Sequence, residues 1–241
     1  MNVEGAGRLY FRQLLAGRDF ARTDEVARQM VNFAYLIGDR ETGEAVAVDP
    51  AWAPGELVEL AGADGMRLVG AVATHHHADH VGGELFGHRV AGVAELLEQV
   101  DLPVHAQAAE VPWIVRGTGL SEGELVAHDR TDDVIAVGRL EVRTLHTPGH
   151  TPGSQCLLVG GRLVAGDTLF LVGCGRMDLP GGDPAAMYES LVGRLARLPD
   201  DIVLFPGHLY SEEPSATLGE TKRWNPVLSS RPREEWLSLF G

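Results

Sequence analysis

The chain has 241 residues, 44% of them apolar and 22% charged, a balance suited to a soluble protein with a real core in one large domain or two small ones. Its formal net charge of −14, with a single lysine (Lys222) beside the arginines, repels a phosphate backbone and sets any nucleic-acid partner at a disadvantage. Two cysteines, Cys156 and Cys174, cannot build a disulfide framework, no apolar run is long enough to span a membrane, and Met1–Phe11 lacks a signal-peptide core, so a cytoplasmic location is expected.

In chain order, Asn32–Gly38 and Ala45–Asp49 read as short apolar strands joined by a polar turn at Gly43. Pro54–Ala63 carries a helical pattern. Arg67–Thr74 is a buried strand that runs straight into a cluster of histidines. From Asp79 to Gln99 the composition is helical, and Pro103–Gly123 reads as a short strand, a helix over Ala106–Arg116 and a glycine-rich loop. Val93–Gly123 is also the stretch expected to supply a lid or a dimer contact. Strands resume at Val134–Val137 and Leu140–His146, followed by a hairpin of Ser154–Val159 and Arg162–Ala165 about Gly160-Gly161. Pro184–Leu198 is a helix, with Met187, Leu191, Leu195 and Leu198 at three- and four-residue spacing. Ile202–Phe205 is a last strand, and Leu218–Trp224 and Arg233–Phe240 are closing helices. Sheets covered by helices in one integrated α/β domain follow, with a core over about 30–226 and a short helical tail.

Four motifs carry chemistry, each just after an apolar run. In Thr74-His75-His76-His77-Ala78-Asp79-His80, His75 and His77 alternate and so project the same way from an extended segment, while Asp79 and His80 open a helix and point at an adjacent position. Imidazole and carboxylate are the ligands that zinc and similar cations take. A lone histidine is more often structural, but four ligand-type residues within six positions at a strand exit are not. The second motif is His146-Thr147-Pro148-Gly149-His150-Thr151, where turns hold His150 rigidly. His146 is a lesser candidate. The third is Gly166-Asp167-Thr168-Leu169. Its aspartate is ordinarily a helix N-cap, although a carboxylate can also bridge two cations. The fourth is Pro206-Gly207-His208-Leu209-Tyr210.

In this order, from about Asn32 to about Pro226, these motifs resemble the metallo-β-lactamase superfamily. The resemblance implies a four-layer αβ/βα sandwich with metals at one edge between two sheets. It implies that His75, His77 and His150 hold one ion, that Asp79, His80 and His208 hold a second, and that Asp167 bridges them. His76 occupies the variable position, and His88, His105 and His128 are expected to be surface or structural. Two zinc ions sharing a water would lower its pKa towards neutrality, giving a hydroxide that Asp79 orients.

The segment Gly173-Cys174-Gly175-Arg176 resembles the glyoxalase II (hydroxyacylglutathione hydrolase) branch and the related persulfide dioxygenases. It implies a thioester or thiol-carrier substrate contacted by Arg176 and Tyr210, with Cys174 a packed residue and not a nucleophile. The chain ends soon after Trp224-Asn225-Pro226, without the long carrier-binding extension of full-length glyoxalase II. Lys222 and Arg223 are then the basic candidates near that end. A hydrolase acting on a thioester is the first expectation. The alternative is a dioxygenase with one iron on His75, His150 and Asp167; mixed zinc, iron or manganese occupancy stays open. A lactonase or other hydrolase of the superfamily ranks lower. Partners are expected to be small molecules, with neither nucleic acid nor membrane, and a homodimer is left open.

Overall fold

The computed structural model describes residues 7–241. The first six residues of the Met1–Phe11 segment therefore lie outside the described residues. The chain begins with β1 (Leu9–Leu15) and α1 (Glu25–Met30), then β2 (Phe33–Asp39), β3 (Glu44–Val48), α2 (Pro54–Ala63) and β4 (Arg67–Val72). A short helix α3 (Ala78–Val81), a hairpin of β5 (Gly83–Leu85) and β6 (His88–Val90), and α4 (Val93–Leu97) follow. Next come β7 (Val104–Gln107), α5 (Val111–Thr118) and β8 (Leu125–His128). The second half runs β9 (Asp132–Val137), β10 (Leu140–His146), β11 (Gln155–Val159), β12 (Arg162–Gly166), α6 (Pro184–Tyr188), β13 (Val203–Pro206), β14 (Ala216–Thr217), α7 (Leu218–Trp224) and α8 (Arg233–Phe240).

These strands form two mixed six-stranded sheets, ordered β1-β2-β3-β4-β7-β8 and β14-β13-β12-β11-β10-β9. Side-chain alternation builds the layers. Along β2, Phe33, Tyr35 and Ile37 enter a core shared with Val142, Leu157 and Val164 of the other sheet. The intervening Ala34 and Leu36 face a second core, under α2, α4 and α5, with Leu57, Leu96 and Ile114. The far face of the second sheet packs Cys156, Leu163 and Leu204 against Met187, Leu191 and Trp236. The result is helices, sheet, sheet, helices: the four-layer sandwich expected. Because strands such as β2 are buried on both faces, they read as continuous apolar runs.

Three expectations need correction. Asp79–Gln99 is not one helix. Gly82 and Gly83 (φ 90° and 126°) end α3, and a Cβ on Gly82 would lie 2.7 Å from the Gly92 backbone, so the segment folds back as the β5–β6 hairpin. A helix does not start at Ala106. Ala106 and Gln107 pair with Ala127 and His128 of β8, so the strand persists and α5 begins at Val111, with Pro112 in its first turn. This sheet pairing outranks local propensity. Val93–Gly123 is not a lid, since Val93, Leu96, Val104, Ala106 and Ile114 are buried in the core.

Pro184–Leu198 is helical but not uniformly α. After α6, capped by Asp183, it widens to a π turn over Glu189–Arg194 and ends in a 3-10 turn. In that register the Ser190 hydroxyl donates to Pro148 O (2.7 Å) and Arg194 donates to His146 O (2.9 Å), so the helix clamps the loop that carries His150.

Candidate metal centre

Each candidate ligand sits at the carboxyl end of a strand or just beyond it. His75 and His77 leave β4, His80 and Asp79 lie on α3, and His150, Asp167 and His208 follow β10, β12 and β13. Backbone hydrogen bonds lace these exits together: Gln155 N to Thr74 O (2.9 Å), Gly207 N to Gly166 O (2.8 Å) and Phe33 N to Gly207 O (2.8 Å). Gly207 is required by this close approach, because a Cβ there would collide with Asp167 Oδ1.

His75, His77 and His150 form one group of ligand atoms and Asp79, His80 and His208 another. His77 Nδ1 lies 3.1 Å from His75 Nε2 and 2.9 Å from His150 Nε2. In the second group His80 Nε2 is 3.2 Å from His208 Nε2, and Asp79 Oδ2 lies 3.5 and 3.4 Å from those nitrogens. Asp167 stands between the groups, with Oδ1 3.4 Å from His80 and Oδ2 3.4 Å from His208 and 3.8 Å from His150. The structure thus brings together all seven residues named from the sequence.

The far side of each ring explains why the nitrogens converge. The Nδ1 atoms of His75, His80, His150 and His208 meet Thr74 Oγ1 (3.0 Å), Asp49 (2.9 Å), Arg176 O (2.7 Å) and Met30 O (2.8 Å). With the Nδ1–H donated outward, each Nε2 presents its lone pair inward, as metal ligation requires. Asp49 lies near His75 and His80, but its oxygens are taken by the Thr74 N–H, the Thr74 hydroxyl and His80. It is an orienting group. Lone pairs facing each other at these distances repel unless a cation lies among them. Asp167 Oδ1 is buried and has no hydrogen-bond partner among the described residues. The residues fit divalent ions of the zinc and iron type in number, chemistry and burial.

Electrostatics agree. Burial, then His80, His77 and His150, hold His75 well below its ordinary value, and burial and His150 bring His77 down to about 4, so both rings are neutral at pH 7. At the second group, against burial, Asp79 and Asp167 raise His80 to about 10 and Asp167 raises His208, so without an ion these two rings carry the positive charge that keeps Asp167 ionised, and a bound cation would take their protons' place.

The site opens into a cavity of about 750 Å³ lined on its outer walls by Trp113, Phe170, Arg176 and Tyr210. Tyr210 stacks on His208, with ring centroids 4.6 Å apart, and is 56% exposed. Arg176 reaches the cavity but is bonded in fork geometry to Asp178 (2.9 and 2.8 Å). Burial pushes the Cys174 thiol up to about 11, which suits a packing role. His146 turns away to Pro152 O, His88 bonds Asp24, and His105 and His128 bond each other beside Asp133. Lys222 is tied to Leu198 O and Asp200.

Asn32, Trp52, Glu110 and Trp113 lie beside the site and carried no sequence signal. Asn32 Nδ2 lies 3.0 Å from Asp79 Oδ2, with its orientation fixed because Oδ1 accepts from Trp52 Nε1. Buried Glu110 accepts from His76 Nδ1, the Thr151 hydroxyl and Gly153 N, and His76 stacks on Trp113 at 4.8 Å and lines the cavity. Only Asp49, ending an apolar strand as Asp167 does, could have been suspected.

The metallo-beta-lactamase superfamily pattern matches residues 28–208. The chain belongs to that superfamily. It is 39% identical over 180 residues to a hydroxyacylglutathione hydrolase of Anaeromyxobacter dehalogenans, covering 75% of this chain and 62% of that protein. It is 31% identical over 240 residues to the mitochondrial persulfide dioxygenase ETHE1 of Homo sapiens, covering 95% and 86%. The solved structure of ETHE1 from Myxococcus xanthus superposes with a TM-score of 0.76 at 29% identity, over 96% of this chain and 89% of that one. In this superfamily the His and Asp clusters are the metal-binding feature, and a metal-dependent enzyme is the reading they share.

Proposed function

We propose that the chain is a metal-dependent thioesterase of the hydroxyacylglutathione hydrolase type. The observation that carries this is the complete second ligand group: Asp79, His80 and His208 converge as fully as His75, His77 and His150 do, with Asp167 between them. Divalent ions held by these residues would supply Lewis acidity, lowering the pKa of water and polarising a carbonyl. The chain's own groups do the rest. Asn32 holds Asp79 Oδ2, and Asp79, which lines the cavity, accepts the proton of the attacking water. The outward hydrogen bonds of the four histidines keep the ligand rings in place through turnover. A thiolate leaves without needing a proton, so no general acid is required of the walls. Tyr210 and Arg176 are the proposed substrate contacts.

A persulfide dioxygenase is the second reading. It is supported by the match with the human enzyme over 86% of that protein, where the hydrolase match spans 62% of its relative. It would use one iron on His75, His150 and Asp167. Elemental analysis with two assays separates the readings. The thioesterase should purify with about two zinc-like ions per chain and cleave hydroxyacyl thioesters. The dioxygenase should carry one iron and consume oxygen with glutathione persulfide. Asp79→Ala should lower thioester turnover at least a hundredfold, consistent with the usual size of general-base effects. A loss under tenfold would sink the role given to Asp79.

A further inference from the structure

One histidine of the first motif is held as the ligand rings are held, yet belongs to neither ligand group. His76 Nδ1 donates to Glu110 Oε2, a carboxylate with no exposed surface. The other oxygen of Glu110 accepts from the Thr151 hydroxyl and from Gly153 N (2.7 Å), beside the ligand His150. Asp49 stands behind His80 in the same way. Trp113 stacks on the His76 ring at 4.8 Å, and the Arg116 guanidinium lies over the indole at 5.3 Å. The imidazole is thus fixed both in rotation and in tilt.

A buried carboxylate is costly to desolvate, and one placed behind an imidazole fixes what the opposite nitrogen presents. That nitrogen is Nε2. It lies across the ring from Glu110 and makes no hydrogen bond among the described residues, and its side chain is 11% exposed and lines the cavity. A polar atom held rigidly at a cavity wall without a protein partner is a place for a hydrogen-bonding group of a ligand. The ring of the ligand His77 is 4.8 Å away, centroid to centroid, so a group that meets His76 lies near the reacting bond and not far out along a carrier.

We propose that His76 Nε2 hydrogen-bonds a hydroxyl on the acyl part of the substrate, one carbon from the reacting carbonyl, and so selects 2-hydroxyacyl groups over plain acyl groups. A hydroxyl both gives and takes a hydrogen bond, so it pairs with this nitrogen whichever of the two the ring requires. The inference rests on the thioesterase reading for the identity of the reacting bond, but recognition of the hydroxyl is a binding property and is tested apart from turnover.

The zinc-loaded protein is titrated calorimetrically with S-(2-hydroxypropyl)glutathione and with S-propylglutathione, thioethers that offer no carbonyl to attack. Two variants separate recognition from support. In His76→Asn the amide nitrogen takes the place of Nδ1 and keeps the bond to Glu110, while nothing replaces Nε2. In His76→Gln the longer amide reaches the place of Nε2 and leaves Glu110 short of a donor. The native chain should bind the hydroxylated thioether about tenfold more tightly, the upper range for one hydrogen bond. His76→Asn should bring the two affinities within about twofold while keeping the higher Tm of the two variants, and His76→Gln should retain a preference of about threefold at a lower Tm. A purely supporting role for His76 reverses this order. A native chain that binds the two alike or binds neither, or a His76→Asn variant that keeps the native preference, overturns the proposal. Hydrolysis of S-lactoylglutathione and S-propionylglutathione is measured in parallel. If neither is cleaved while the binding preference holds and is lost in His76→Asn, the thioesterase reading fails and the recognition of the hydroxyl stands.

Discussion

Glu110 shows how one buried residue can hold a wall of the cavity. It has no exposed surface, yet it serves three donors: His76, Thr151 and the Gly153 backbone. Burial alone would raise its carboxyl, but those partners outweigh it and hold the group below its ordinary 4.5. A folded pKa below the unfolded one contributes stability that is fully present above about pH 4.5 and is lost as pH falls through the folded value. Glu110→Gln should therefore flatten the acid limb of a plot of unfolding free energy against pH, measured by denaturant titration from pH 3 to 7. At pH 7 it should cost about 2–3 kcal/mol, because the amide cannot serve three donors as an ionised carboxylate does. An unchanged acid limb would remove Glu110 from this role. The histidine cluster itself was legible at this scale, because six adjacent positions carried four ligand-type residues. Glu110 was not: a glutamate in a helical-looking stretch reads as a solvated face, and only the packing of α5 against the His150 loop buries it.

Asn225 is the corresponding device at the scale of elements. It caps α7 and is almost fully buried, and its side chain accepts from Gly173 N (3.0 Å) and donates to Phe170 O (3.0 Å) and Gly173 O (2.9 Å). The closing helix thus pins the loop between Asp167 and Cys174, and so the far side of the cavity. Asn225→Ala leaves these loop groups without partners and should destabilise the protein by about 2–3 kcal/mol. It should also raise amide exchange at Phe170–Gly173, which mass spectrometry of deuterium uptake would register. Protection as in the native chain would show that the loop is held by other means. Helices α2, α7 and α8 begin and end where their sequence patterns placed them, because propensity, caps and apolar spacing agree there. The pattern failed over Asp79–Gln99 and Ala106–Arg116, where glycine-permitted turns and pairing with β8 outrank helix propensity.

Across the whole molecule, ions held at this centre would act as a rivet between the two sheets. His75, His77, Asp79 and His80 come from the half of the chain that builds the first sheet, and His150, Asp167 and His208 from the half that builds the second. Removing the ions with a chelator should lower stability by about 4 kcal/mol at a thousandfold excess of metal over Kd. For a chain of this size that corresponds to roughly 10 °C in Tm, recovered on adding zinc. A Tm indifferent to chelation would mean that the ions do not bridge the sheets. No helix among the described residues is long and apolar enough to cross a membrane. The sequence by itself determined the ligand chemistry and the layered α/β architecture. Ligand residues cluster in local motifs at strand exits, and strands buried on both faces show as continuous apolar runs. Only the tertiary structure decided what surrounds the site. The acceptors behind His80, His150 and His208 and the buried Glu110 under His76 come from segments far apart in the chain, and these contacts exist only once the chain has folded back on itself.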